Sequence, residues 1–294
     1  MADAAQYLID AAALGSIYAL VALGLAIVFS VLRLINFAHG ELLTVSAYAM
    51  AWISAANFPW EVALAIAIAM AVAAALLLER VSFRPVRNAE PTTLLLTSFG
   101  VSLILQNVIL MLAGPRPVPI VYASWTMATF TVAGVRIEWM QVATLATTVL
   151  CLLALNYILN RTVLGISLRA AAEDFTTTRL MGVRANRLTA GAFALSAILA
   201  GLAAVFWFAN SGLILPSSGF VPVMKGFICA VIGGLGSLTG AVVAAYLLAL
   251  TETAFGVFLP TEYQPYGEAI VFSVVIIFLT FRPEGLFGKV GRAI

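Results

Sequence analysis

Apolar residues fill this chain in long uninterrupted runs, not at alternating positions or in one-sided stripes. Uncharged stretches cover residues 11–32, 42–60, 62–78, 91–115, 139–160, 188–224 and 226–251. A transmembrane helix needs roughly 20 apolar residues, so each run predicts a crossing. An eighth run, 269–281, reaches spanning length by starting near Tyr263, which puts Glu268 beside one membrane surface. The run 188–224 exceeds one span, and Asn210, Ser211, Gly212 and Pro216 mark its exit into a loop. A short piece, 220–232, follows, then the break Gly233-Gly234-Leu235-Gly236-Ser237, then a helix towards Leu259. The expected fold is all-α, a polytopic transmembrane helical bundle. It has about eight or nine segments, depending on whether 220–232 crosses or belongs to a re-entrant hairpin. Residues 1–294 form a single domain.

Composition agrees with the pattern. The chain is 63% hydrophobic and 10% charged, with mean hydropathy +1.08. Soluble domains are about 25% charged, so a soluble globular protein is excluded. Cys151 and Cys229 lie in apolar runs and read as small buried hydrophobes, not as a disulfide or metal pair. The N-terminus carries Asp3 and Asp10 and lacks the positive region of a cleavable signal, so the first run is expected to stay as a span.

Charge supplies orientation. Arg80, Arg84 and Arg87 share one connection; Arg161, Arg169, Arg179, Arg184 and Arg187 share a second; Arg282, Lys289 and Arg292 form the C-terminal tail. The positive-inside rule makes these regions cytoplasmic. The N-terminus is then expected outside and the C-terminus inside.

Three polar constellations interrupt the apolar background. The first is Asn36-Phe37-Ala38-His39-Gly40-Glu41, which holds the one histidine of the chain. Ionisable groups within membrane segments are functional candidates, so Asn36, His39 and Glu41 read as a polar patch on a translocation path. The competing reading is a tight cytoplasmic turn flanked by Arg33. One His and one acid supply too few ligands for a metal. The second constellation is Ser98, Ser102 and Gln106, which repeat every four residues and share one helix face. They either line a cavity or let helices pack closely, with Gln106 the stronger path candidate because an unpaired amide in lipid is costly. The third is the connection at about 162–187, expected to carry a short helix ended by Gly182 in a left-handed cap. Such a helix, with charges of both signs, suits docking into a partner's groove. A positional echo relates the break at Asn36–Glu41 to the one at Gly233–Gly240, as in transporters built from duplicated units. Gly40, Gly233, Gly234 and Gly236 are the helix-breaking glycines in that reading.

The run Gly24-Leu25 … Asn36-Phe37-Ala38-His39-Gly40-Glu41-Leu42 resembles the permease subunits of bacterial ABC importers for branched-chain amino acids. Arg169-Ala170 … Glu173-Asp174 … Met181-Gly182, Gly233-Gly234-Leu235-Gly236-Ser237 and Arg282-Pro283-Glu284-Gly285-Leu286-Phe287-Gly288 are similar to further motifs of that family, in its order. The resemblance implies a multi-pass bacterial inner-membrane protein that pairs with a second, related permease. It also implies two cytoplasmic ATP-binding subunits and an extracytoplasmic substrate-binding protein, with no nucleic acid partner. Arg169, Ala170, Glu173, Asp174 and Gly182 would then transmit ATPase closure to the spans. ATP would be used by the partners, and no cofactor would be bound by this chain. Permeases for urea and short amides resemble the same motifs.

Two other classes compete. An ion-coupled secondary transporter or channel would use Glu41, Lys225 and Glu252 as ion or proton sites but leaves the arginine-rich connection unexplained. An intramembrane enzyme would need a nucleophile–base pair or a metal, and the sequence has no Gly-x-Ser-x-Gly elbow. Nor is there a Walker A loop: Gly285-Leu286-Phe287-Gly288-Lys289 is too short and is followed by Val290.

Overall fold

The computed structural model describes residues 2–87, 89–120, 122, 123, 126, 128–132, 134–260 and 262–287. Gly288, Lys289, Val290 and Arg292 of the tail lie outside the described residues. The chain runs through α1 (Ala2–Leu32), α2 (His39–Ala55), α3 (Trp60–Leu78), a π-helical turn at Glu79–Phe83, and α4 (Arg84–Val86). Next come α5 (Pro91–Ala113), β1 (Val118–Pro119), β2 (Thr129–Val132), β3 (Val135–Glu138) and α6 (Trp139–Arg161). Then follow α7 (Val163–Glu173), α8 (Phe175–Leu180), α9 (Ala185–Ser211), β4 (Leu213–Ile214), α10 (Phe220–Gly233), α11 (Leu238–Phe258) and α12 (Gly267–Phe281). Among the described residues, six helices are long and apolar enough to cross a membrane; α10 and α12 are apolar but shorter, and α2 has 17 residues.

Local chemistry sets several boundaries. Pro91 opens α5 at a position where its missing N–H costs nothing. Glu138 and Gln141 form a reciprocal capping box at the start of α6. On α3, Ala63, Ala67, Ala71 and Ala75 are all fully buried. Their four-residue spacing makes one flat face that admits α2 and α9 at close range, while Leu76 and Leu77 point outward. The connection between α5 and α6 holds a small β2–β3 hairpin, and β1 pairs with β4 across the molecule.

α1 is the axis of the bundle. It is buried on nearly all sides against α6, α9, α10 and α11, as expected for a helix apolar all round. α9 runs antiparallel to it: Gly24 faces the Ser196 carbonyl and Tyr18 stacks near Trp207. α2 runs parallel to α9, since His39 meets Ser196 and Ser46 meets Gly201. α10 runs parallel to α1, with Gly226 against Val21 and Gly236 near Phe29.

These directions place the N-termini of α2 and α10 head to head inside the bundle. His39 lies level with Gly24, about 12 Å along the axis from Leu32. Gly40 and Gly219 touch backbone to backbone; a Cβ on Gly40 would sit 2.6 Å from the Gly219 carbonyl. The chain reaches α2 through residues 33–38 from the arginine-rich end. It reaches α10 through residues 212–219 from the opposite end. Non-helical backbone at this depth is tolerated because protein surrounds it. Residues 212–219 thus lead into α10 much as residues 33–38 lead into α2. Gly233 and Gly240 instead pack together in a tight turn, where Gly234 and Gly236 take φ +97° and +90°. That turn is sealed by the tail, with Leu286 N–H donating to Ile232 at 2.7 Å and Phe287 N–H to Gly233 at 3.1 Å. Of the helix-breaking glycines, Gly40 stands in the first turn of α2, and Gly233, Gly234 and Gly236 stand at the break between α10 and α11.

The head-to-head contact yields a test. Gly219→Val should destabilise the bundle by at least about 1–3 kcal/mol, the usual cost of overpacking, because its Cβ would collide with the Gly40 carbonyl and Thr44 Oγ1. Gly256→Ala, at a position with open space, should melt like the parent. Thermal unfolding in detergent, followed by size-exclusion chromatography, reads both.

Candidate functional site

The first two constellations are one assembly. The α5 face carrying Ser98, Ser102 and Gln106 lies against the link between α1 and α2. Ser98 Oγ donates to the Ile35 carbonyl at 3.1 Å and lies 3.4 Å from the Phe37 N–H. Ser102 Oγ and Gln106 Nε2 each donate to Glu41 Oε1 at 2.9 Å. Ser98, which also bonds the Leu95 carbonyl of its own helix at 2.8 Å, thus contacts the unwound segment, and Ser102 contacts the Glu41 side chain. Asn36, His39 and Glu41 are 2%, 0% and 1% exposed, so the segment is not a surface turn. Hydropathy suggested a turn because the acid ended the apolar run; the helix in fact begins at His39.

His39 fits a slot made by a missing side chain. A Cβ at Gly24 would stand 2.6 Å from the imidazole Cε1. Its Nδ1 pairs with Ser196 Oγ at 3.1 Å, a partner that sequence spacing could not reveal. Among the described residues, His39 Nε2, Glu41 Oε2 and both amide atoms of Asn36 are buried without hydrogen-bond partners. Leaving such groups unsatisfied costs about 1–3 kcal/mol each, so the centre is prepared for polar company. It offers a carboxylate acceptor, an amide with both functions and an imidazole nitrogen, within reach of two helix N-termini that favour negative charge. Beside it, Phe37 stacks with Phe99 of α5 and Phe227 of α10, at 5.7 and 5.6 Å between centroids.

A second polar centre lies on the other side of α10. Lys225 Nζ stands 2.8 Å from Glu252 and 3.2 Å from Glu268, and donates to Tyr18 Oη at 3.1 Å. Tyr18 in turn donates to Glu252. Lys225 and Glu252 form an ion pair rather than two independent ion sites. The sequence signal was a lone lysine between two apolar runs; its partners come from three other helices.

In the connection 162–187 the structure holds two helices where one was expected. Asp174 breaks α7 from α8, because its side chain caps α8 by accepting from the N–H groups of Thr176 and Thr177 and from the Thr177 hydroxyl. Those Thr177 bonds hold the Asp174 carboxyl below the usual aspartate range. The cap is therefore complete above the ordinary pKa of about 3.9 and is lost only as pH falls through its lower folded value. Gly182, at φ +88°, ends the unit in the left-handed conformation. Arg169 bonds Asn160 at 2.9 Å, Glu173 and Ala170 are exposed, and Leu180 and Met181 project with more than 80% exposure. Arg33 ties this unit to the α1–α2 link by donating to the Ala172 carbonyl at 3.0 Å.

Glu41→Lys should abolish assembly or transport, since Ser102 and Gln106 present donors to a cation. Gln106→Leu should be milder, costing about 1–3 kcal/mol for the donor lost to a buried acceptor. Yield of folded protein and thermal stability in detergent separate the two.

Comparison with known proteins follows this geometry. Residues 7–280 match the family described as branched-chain amino acid transport system / permease component. The branched-chain amino acid transport permease BraD of Pseudomonas aeruginosa is 32% identical, over 97% of this chain and 95% of its own length. LivH of Escherichia coli is 33% identical with the same coverage. LivM of Escherichia coli, a permease protein of the same named system, is 29% identical over 51% of this chain and 34% of its own length. No solved structure matches. With a family match across most of its helices and full-length relatives of this similarity, the chain belongs to the permease component family of branched-chain amino acid transport systems.

Proposed function

We propose that this chain is the membrane-spanning permease subunit of an ABC importer that moves branched-chain amino acids inward. The observation that carries the reading is the Glu41 centre. A carboxylate is held by α5 between opposed half-helices, with unpaired acceptor and donor atoms about 12 Å inside the bundle from the Leu32 end of α1. A zwitterion crossing there meets Glu41 for its ammonium group, and Asn36 and His39 with the helix N-termini for its carboxylate. The side chain faces Phe37, Phe99 and Phe227, which accept different aliphatic shapes.

The N-terminus lies outside and the C-terminus in the cytoplasm, in a bacterial inner membrane. A related permease completes the pathway, an external binding protein delivers substrate, and two cytoplasmic ATPases bind and hydrolyse ATP. α7 and α8 dock into those ATPases through Leu180 and Met181. Beside this tip, Val163, Leu164, Ser167, Arg184 and Arg187 line a groove of about 570 Å³. Motion of α7 reaches Glu41 through Arg33, which ends α1 at φ +53° and whose side chain bonds the α7 backbone.

Uptake of labelled leucine and labelled urea into vesicles carrying the full set of subunits, with and without internal ATP, tests the assignment. ATP-dependent leucine uptake is expected. ATP-dependent urea uptake instead would move the protein to the amide branch, and uptake that follows an ion gradient would overturn the importer reading. In the same vesicles, Leu180→Asp with Met181→Asp should leave ATP hydrolysis measurable while leucine uptake falls at least about tenfold, the equivalent of 1.4 kcal/mol of lost coupling. Normal uptake would remove α8 from the docking surface.

A further inference from the structure

α10 is held from two sides. On one side the Gly40–Gly219 contact fixes its N-terminus against α2. On the other, Lys225 binds Tyr18 of α1, Glu252 of α11 and Glu268 of α12, and the three attachments differ. The Glu252 side chain is 12% exposed, whereas the Glu268 side chain is 66% exposed. Tyr18 bonds both Lys225 and Glu252, so these three groups satisfy one another away from water.

The charge count separates the two carboxylates further. Release of Glu268 frees a carboxylate that the bundle leaves 66% exposed and leaves Lys225 and Glu252 as a neutral buried pair. Release of Glu252 would strand a charge in an apolar bundle, which is strongly unfavourable. α12 is also lightly attached, with Val271 and Val275 its buried residues. A cleft of about 290 Å³ opens among α10, α11 and α12, lined by Lys225, Glu252, Phe255, Gln264, Glu268 and Val271.

We propose that Lys225 is a positioning residue for transport and that its pair with Glu268 is a releasable latch on the half-helix α10. Glu252 and Tyr18 are the fixed anchor. Opening of the Glu268 arm parts α12 from α10, widens the cleft and frees α10 to shift against the Glu41 centre. The inference rests on the importer reading for its purpose but not for its geometry.

The test uses the complete importer in nanodiscs, with Cys151 and Cys229 replaced by Ala and Val271→Cys as reporter. Val271 is 1% exposed on the cleft wall, so labelling by a membrane-impermeant maleimide is slow while the latch holds. Glu268→Gln should speed labelling, and raise hydrolysis without binding protein, by about 1.5- to 5-fold, the range for one exposed ion pair. Glu268→Asp, which keeps the charge, should stay near the parent in both. A Gln variant identical to the parent in both readouts overturns the latch. So does a Gln variant that fails to assemble, because the proposal makes Glu268 dispensable for folding. A parent complex that takes up no leucine in the vesicle assay refutes the function assignment alone, since the nucleotide-free labelling difference in nanodiscs is read without transport.

Discussion

Burial of the Glu41 carboxylate is the constraint around which the bundle is arranged. A charge of this kind in an apolar interior demands hydrogen-bond donors and favourable dipoles. Two donors come from α5, which explains a polar stripe on an otherwise lipid-like helix. The dipoles come from α2 and α10, whose N-termini meet beside it. That meeting in turn requires glycine at positions 40 and 219, and it requires each half-helix to be reached by non-helical chain from opposite ends. Breaks that would be costly in lipid become the means of satisfying the acid.

Small residues make the arrangement dense enough to exclude lipid. The alanine face of α3, the Gly24 slot for His39 and the Gly226 contact with Val21 each bring backbones within reach of one another. In a membrane, where lipid tails are as apolar as leucine, close packing replaces the hydrophobic effect as the force between helices. α10 packs through Gly226 on α1 and through Cys229 and Ile232 in a cluster shared with α1 and α11. Lys225 adds an electrostatic attachment to α11 and α12. The half-helix that contributes to the Glu41 centre is thus also the one held by charge, and charge pairs rearrange with less cost in packing than interlocked side chains do.

The arginine-rich end carries a different kind of information. α7 and α8 are short, capped by Thr162 and Asp174, and expose large apolar side chains at their tip. Arg33 connects them to the unwound link that precedes α2. That one guanidinium joins the exposed unit to the segment that carries Asn36, His39 and Glu41.

The sequence by itself determined the class of the protein. Hydropathy sufficed for α1, α3, α5, α6, α9 and α11, because a long span needs only a long apolar run. Motif order sufficed for the family, and polar or ionisable residues in apolar surroundings drew attention to Asn36, His39, Glu41 and, under another reading, Lys225 and Glu252. Tertiary structure decided the rest. Glu41 ended an apolar run and so mimicked a surface turn, since hydropathy counts polarity and is blind to depth. The serines of α5 became braces because their acceptors lie more than 60 residues away in the chain. The partners of His39 and Lys225 are more distant still or sit on separate helices, and no local period encodes them. The loop at residues 212–219 was legible from Gly212 and Pro216, but its meeting with Gly40 was not, because only the path of the backbone brings Gly219 there.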